Sequence, residues 1–138
     1  MNERIDEDLL DCEDEVVLYN GKPFSGVGFD PFSDGSGVEY ETEYVDGLTH
    51  GMNRKWYKNG KLAYEVHYSY GIKHGKEMRW FDSGVVKLTA YFEYGVEVES
   101  TTWNEAGAIV EHFEISPDLP NFVILQDRRK KGWDFTSL

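Results

Sequence analysis

His50 and His74 stand 24 residues apart, and each is followed by glycine. Two imidazoles in equivalent places raise the question of a shared metal ion. In a two-strand repeat, equivalent residues lie roughly 9.6 Å apart, whereas a zinc–nitrogen bond is about 2.1 Å. The spacing favours packing or hydrogen bonding of each histidine within its own loop, so no metal is expected. Cys12 lies in "LLDCEDE", where acidic neighbours keep a thiol protonated and weaken it as a nucleophile. A single cysteine forms no internal disulfide and no Cys-cluster zinc site, which points to a reducing compartment. The sequence has no Gly-x-Ser-x-Gly elbow, phosphate loop or dinucleotide fingerprint. "GVGFDPFSDGSG" (26–37) is glycine-rich, but no helical pattern with a lysine follows, and it reads as a turn region. The expectation is a non-enzymatic protein with no catalytic residue and no cofactor.

Carboxylates are the more telling chemistry. "GVEYETEY" (37–44) sets Glu39, Glu41 and Glu43 on one strand face, and "EYGVEVES" (93–100) adds Glu93, Glu97 and Glu99. Like charges at this spacing repel and call for compensation. Cross-strand Lys or Arg would make these a solvated face; a basic protein partner would make them a docking surface. Net charge is −12, distributed as −11 over residues 1–43, +4 over 44–91 and −5 over 92–138. Acidity on this scale disfavours nucleic acid and anionic lipid and favours basic partners. "DRRKK" (127–131) is the one basic cluster, too small to reverse that balance.

A strict repeat must position these groups. Gly47, Gly71 and Gly95 are 24 residues apart, as are Gly51 and Gly75, Trp56 and Trp80, and Gly60 and Gly84. A third unit drops one residue, giving Trp103 and Gly107, and carries Glu99 where a loop glycine stood. Four units follow: 19–43, 44–67, 68–91 and 92–115, between an acidic segment 1–18 and an extension 116–138. "KNGK" (58–61) predicts a two-residue type I′ turn, and "YGIKHG" (70–75) a longer link. Met52, Arg54 and Trp56 are then placed on one side with Leu62, Tyr64, Val66 and Tyr68. Tyr57, Phe81 and Tyr91 fall on the opposite, polar side, either as cross-strand packing or as an anchor stripe. The predicted fold class is all-β: an elongated antiparallel meander of about eight strands, a single twisted sheet with one packed face.

Such a sheet needs a cover. Ile5, Leu9, Cys12 and Val16 follow helical spacing, so a short N-terminal helix is one candidate. "EVVLYN" (15–20) reads as strand against it, and "PNFVILQ" (120–126) reads as a C-terminal strand. "MNERIDEDLL" lacks the basic and apolar pattern of a secretory signal, and no apolar run reaches membrane-spanning length. A cytoplasmic protein without stable membrane insertion is expected.

"YVDGLTHGMNRKWYKNGKLAYEVHY" and "YSYGIKHGKEMRWFDSGVVKLTAYF" resemble MORN repeats. They are most similar to the variant units of bacterial YwqK-type antitoxins and immunity proteins, and "LYNGKPFSGV" (18–27) looks like the entry to the first unit there. The resemblance covers roughly 70% of the chain. It implies a toxin-binding immunity protein or antitoxin with no catalytic role, docking a basic cognate toxin through its sheet, in one version a toxin that acts on nucleic acid. A MORN scaffold or membrane-associated module is the alternative it leaves, with the basic residues of 44–91 at anionic headgroups. Homodimerisation through edge strands fits either.

Overall fold

A computed structural model describes residues 3–132. The strands are β1 (Glu3–Asp6), β2 (Asp11–Glu13), β3 (Val16–Tyr19), β4 (Lys22–Pro23), β5 (Gly26–Pro31), β6 (Val38–Val45), β7 (Leu48–Trp56), β8 (Leu62–Ser69), β9 (Ile72–Trp80), β10 (Val86–Glu93), β11 (Val96–Trp103) and β12 (Ile109–Glu114). One helix, α1 (Pro120–Lys131), follows. Nine strands form one sheet in the order β1-β5-β6-β7-β8-β9-β10-β11-β12, and β2-β3-β4 form a second, small sheet. From β5 to β12 every neighbour is antiparallel and consecutive, as a meander requires, while β1 joins β5 in parallel.

The two turn types are exchanged relative to expectation. Asp46-Gly47, Tyr70-Gly71 and Tyr94-Gly95 each have both residues at positive φ and close two-residue hairpins, as type I′ geometry demands. At residues 57–61, Gly60 has φ +87° but Asn59 is not left-handed. There the Gly60 N–H donates to Tyr57 O and the Tyr57 N–H to Lys61 O, giving a longer loop. The β7 and β9 stretches predicted as long links instead hold irregular register, where β7 slips against β6 between Thr42 and Tyr44 and β9 slips against β8 between Val66 and Tyr68. Tyrosines accept left-handed φ because the turn is held from outside: Gly71 N–H donates to Thr49 O, and Gly95 N–H to Lys73 O, each one hairpin back.

The strand faces also combine differently. β7 and β8 pair Asn53 with Val66, Arg54 with Glu65 and Lys55 with Tyr64. Antiparallel partners have residue numbers summing to an odd constant here, so even residues of β8 share a face with odd residues of β7. Tyr64, Val66 and Tyr68 therefore sit with Asn53 and Lys55, not with Met52 and Arg54. One slip of parity moves every side chain to the other face. On the first face a row runs Gly28, Thr42, Asn53, Val66, Glu77, Ala90 and Ser100 across successive strands. Its centre is the buried heart of the sheet: Val66 is 2% exposed and Glu77 4%.

The two ends are capped, with the structures reversed from expectation. Ile5, Leu9, Cys12 and Val16 do not form a helix; they fall on β1, a single 3-10 turn (Glu7–Leu9), β2 and β3. Asp6 caps that turn by accepting from the Asp8 N–H, and Asp14-Glu15 reverse the chain at positive φ before a helix can grow. The small sheet clamps the Asp46-Gly47 turn: Val17 N–H donates to Gly47 O and Gly47 N–H to Phe24 O. Phe24 is buried against Tyr19 and Tyr44. Residues 120–126 are helical, not a strand. Pro120 occupies the first turn, four basic residues occupy the last, and Gly132 terminates it in the left-handed conformation. Leu125 is fully buried, and Arg128 donates to Tyr94 O, seating α1 on the Tyr94-Gly95 turn. No helix among the described residues is long and apolar enough to cross a membrane.

Candidate protein-binding surface

The first face is self-contained. Glu77 receives Lys73 Nζ at 2.6 Å and Arg79 Nε at 2.7 Å. Burial pushes its carboxyl up, but the two hydrogen-bonded cations outweigh burial and hold it below the ordinary glutamate range. The same cations lie on aromatic rings: Lys73 over Phe92 at 4.9 Å and Arg79 over Tyr64 at 4.7 Å, with Lys55 over Tyr40 at 5.2 Å. The division into an aromatic face and a polar face fails here, because charge and ring share one face and cover each other. A single-layer sheet has no second layer, so long side chains lying flat exclude water from the small residues between them.

On the second face, Arg4 and Arg54 both bind Glu41, and Arg54 also binds Glu65 at 2.8 Å. Glu43 accepts the Met52 N–H where β7 is irregular. Glu93 receives a two-pronged contact from Arg129 of α1, which holds its carboxyl below the ordinary range. Three of the six singled-out carboxylates are thus engaged within the chain. Glu39 is half-buried where the β5–β6 register shifts, and Glu97 lies across from Phe92. Tyr57 donates to Trp80 O at 2.7 Å, and Phe81 lies 5.5 Å beneath Lys87. Tyr57 thus ties neighbouring hairpins together, while Phe81 packs within its own β9–β10 hairpin.

Tyr91 and Glu99 remain outward. Tyr91 is 41% exposed and pairs across the strands with Lys76 and Glu99. Two shallow depressions meet there, sharing Lys76 and Met78; one reaches Thr89, Tyr91 and Glu99, the other Met52, Glu65 and His67. Beyond Glu99 the border turns acidic. Glu114 lies directly across from Glu99, and His112 Nε2 is 3.0 Å from Glu114 Oε1 while its Nδ1 is 2.8 Å from Thr101 Oγ1. The result is a strip with a methionine and tyrosine floor, one lysine, and an acidic rim. Lys76, Met78, His112 and Glu114 were not singled out by sequence, since only cross-strand register brings them to Tyr91.

The histidines at 50 and 74 bind backbone. Nδ1 of His50 accepts the Tyr70 N–H at 3.2 Å, and Nδ1 of His74 accepts the Tyr94 N–H at 2.9 Å. Each ring also lies against that tyrosine, at 4.3 and 4.9 Å between centroids. The bond therefore reaches the next hairpin's turn instead of closing the histidine's own loop. Among the described residues, two other groups have ligand atoms close enough for a cation, Asp6 with Asp8 and Asp30, and Glu99 with His112 and Glu114. In the first, burial and the charges of Asp8, Asp6 and Glu39 push the Asp30 carboxyl up.

The chain is 48% identical over 125 residues to the immunity protein YwqK of Bacillus subtilis (strain 168), a match spanning 91% of this chain and 78% of that protein. The chain belongs to the YwqK family of immunity proteins. No family model matches the chain, and no solved structure does. In this YwqK-family chain the long meander is a continuous scaffold, and the strip around Tyr91 is where its aromatic, thioether and acidic side chains meet solvent together.

Proposed function

We propose that this protein is a non-catalytic immunity protein that binds and neutralises a partner toxin through the strip centred on Tyr91. The observation that carries this reading is the half-exposed Tyr91 between Met78 and the acidic pair Glu99 and Glu114. A tyrosine flanked by flexible apolar groups and rimmed with charge is the composition of an interface hot spot. With a net charge of −12, the fitting toxin surface is basic, of the kind that grips nucleic acid, and electrostatic steering would speed encounter. Glu41, Glu43 and Glu93 act in the sheet, so the contact lies toward the C-terminal border and not on the 39–43 series.

The test is co-purification with the product of the neighbouring gene, followed by rescue of growth when the two are expressed together. Tyr91→Ala is expected to weaken the complex at least tenfold, since truncating a hot-spot aromatic costs about 2 kcal/mol. Unchanged affinity in that variant would move the contact elsewhere. The scaffold reading makes the opposite demand, firm sedimentation with anionic liposomes at physiological salt. Lys73 and Arg79 are held by Glu77, and Arg54 by Glu41 and Glu65, which disfavours that outcome.

A further inference from the structure

The sheet has one long free edge. Among the described residues β12 pairs with β11 alone, so its outer backbone groups have no strand beside them. The Ile115 N–H donates inward to Val98 O. Backbone direction alternates along a strand, so His112 and Glu114 point their N–H and C=O groups out of the sheet. Ile109 and Val110 on the same strand are 65% and 64% exposed. α1 is anchored at the Tyr94-Gly95 turn.

The charge pattern says what is missing there. Inside the sheet, carboxylates of one row are answered across the strands: Arg54 on β7 lies between Glu41 on β6 and Glu65 on β8. At the border two acids stand in succession instead, Glu99 on β11 and Glu114 on β12, directly opposite each other. Like charges in that position repel. A cation on the next strand would answer Glu114 as Arg54 answers Glu41 and Glu65.

We propose that β12 accepts an added strand from the inhibited toxin: an extended basic segment whose backbone pairs with His112 and Glu114, whose Lys or Arg lies beside Glu114, and whose apolar residues cover Ile109 and Val110. This rests on the immunity reading and names the contact's geometry. Strand addition gives affinity through main-chain hydrogen bonds and specificity through alternate side chains. A second copy of this chain is the poorer occupant, because β12 against β12 brings Glu111 and Glu114 of both copies to one seam, and each molecule carries −12.

The experiment uses the full chain and two probes. The first is a short synthetic peptide alternating valine with arginine and lysine, with a counterpart methylated at every second backbone nitrogen. Amide spectra are expected to show the unmethylated peptide shifting and protecting the His112 and Glu114 amides, with binding that weakens as salt rises. The second probe is the toxin captured by co-purification. His112→Pro removes one outward N–H and is expected to lower affinity for both probes at least tenfold, while His112→Asn, which keeps that N–H, changes it less than threefold. Glu114→Gln is expected to weaken both about threefold. Equal binding of the methylated peptide, or no binding of either, would overturn the inference. So would full neutralisation by His112→Pro, though the immunity reading would then stand. A wild-type dimer that disperses on His112→Pro would assign the edge to a second copy instead. If the peptide adds to β12 but the wild-type chain neutralises nothing, the edge accepts strands and the immunity reading fails.

Discussion

Glu77 and Glu99 occupy neighbouring regions of one sheet and do opposite things. At the centre, Glu77 is sealed under Lys73 and Arg79, which are themselves laid over Phe92 and Tyr64. At the C-terminal border, Glu99 is exposed and faces another carboxylate, with a histidine as the polar neighbour of the pair. The centre resolves its charges internally: Lys73 and Arg79 flank Glu77 on β9 itself, and Phe92 and Tyr64 on the strands to either side hold those two cations in place. The border has a strand on one side only, so its charges stay available. Stability and recognition are thus drawn from the same residue types, and position in the sheet decides which they serve.

The largest expected effect breaks the central pair. Glu77→Ala leaves two cations on a face with no carboxylate to receive them, and it should cost about 3 kcal/mol in denaturant unfolding. A loss no greater than that of a border substitution would erase the distinction drawn above. Acid should attack the same place. The folded state holds the Glu77 carboxyl below the ordinary value of 4.5, so its stabilisation is complete above that value and is lost as pH falls beneath it. The denaturation midpoint at pH 3 relative to pH 7 should therefore drop more in the wild type than in Glu77→Gln.

The turns sharpen the comparison in the other direction. Gly71 and Gly95 both have φ near +85°, and replacing either by alanine should cost about 1 kcal/mol from the backbone alone. A Cβ on Gly71 would meet nothing within 4 Å, whereas on Gly95 it would meet Ile72 Cγ2 at 3.0 Å and Arg128 of α1 at 3.6 Å. Thermal melts should rank Gly95→Ala below Gly71→Ala, because the added methyl presses on Ile72 of β9 at the border turn and meets nothing at the central one. Smallest of all, Glu99→Gln relieves a like-charge pair and should raise stability by a few tenths of a kcal/mol at low salt while weakening toxin capture. Destabilisation in that variant would mean that the border carboxylates carry structure.

Some of this was legible in advance. The spacing of Gly47, Gly71 and Gly95 with Trp56 and Trp80 marks consecutive hairpins, because strands and turns in a repeat must recur in step. The helix at 120–131 was also signalled, by Pro120, the basic run 128–131 and Gly132; the apolar "FVIL" outweighed those cues in a reading by strand propensity. Helical spacing at Ile5, Leu9, Cys12 and Val16 misled because four residues fit many periods, and acidic turns at Asp6 and Asp14-Glu15 cut the segment up. The aromatics Tyr57 and Phe81 could not be told from Tyr91 by sequence, since only neighbours in space make the first two structural.

The sequence alone determined that this chain is a ribbon of hairpins, strongly acidic at its ends, because turn chemistry and repeat period are local properties. Tertiary structure decided which face each side chain joins, which carboxylates are answered by a cation, and where an edge is left open. Side-chain faces and cross-strand pairs depend on register, which a shift of one residue reverses, and the open edge depends on where the order of strands stops.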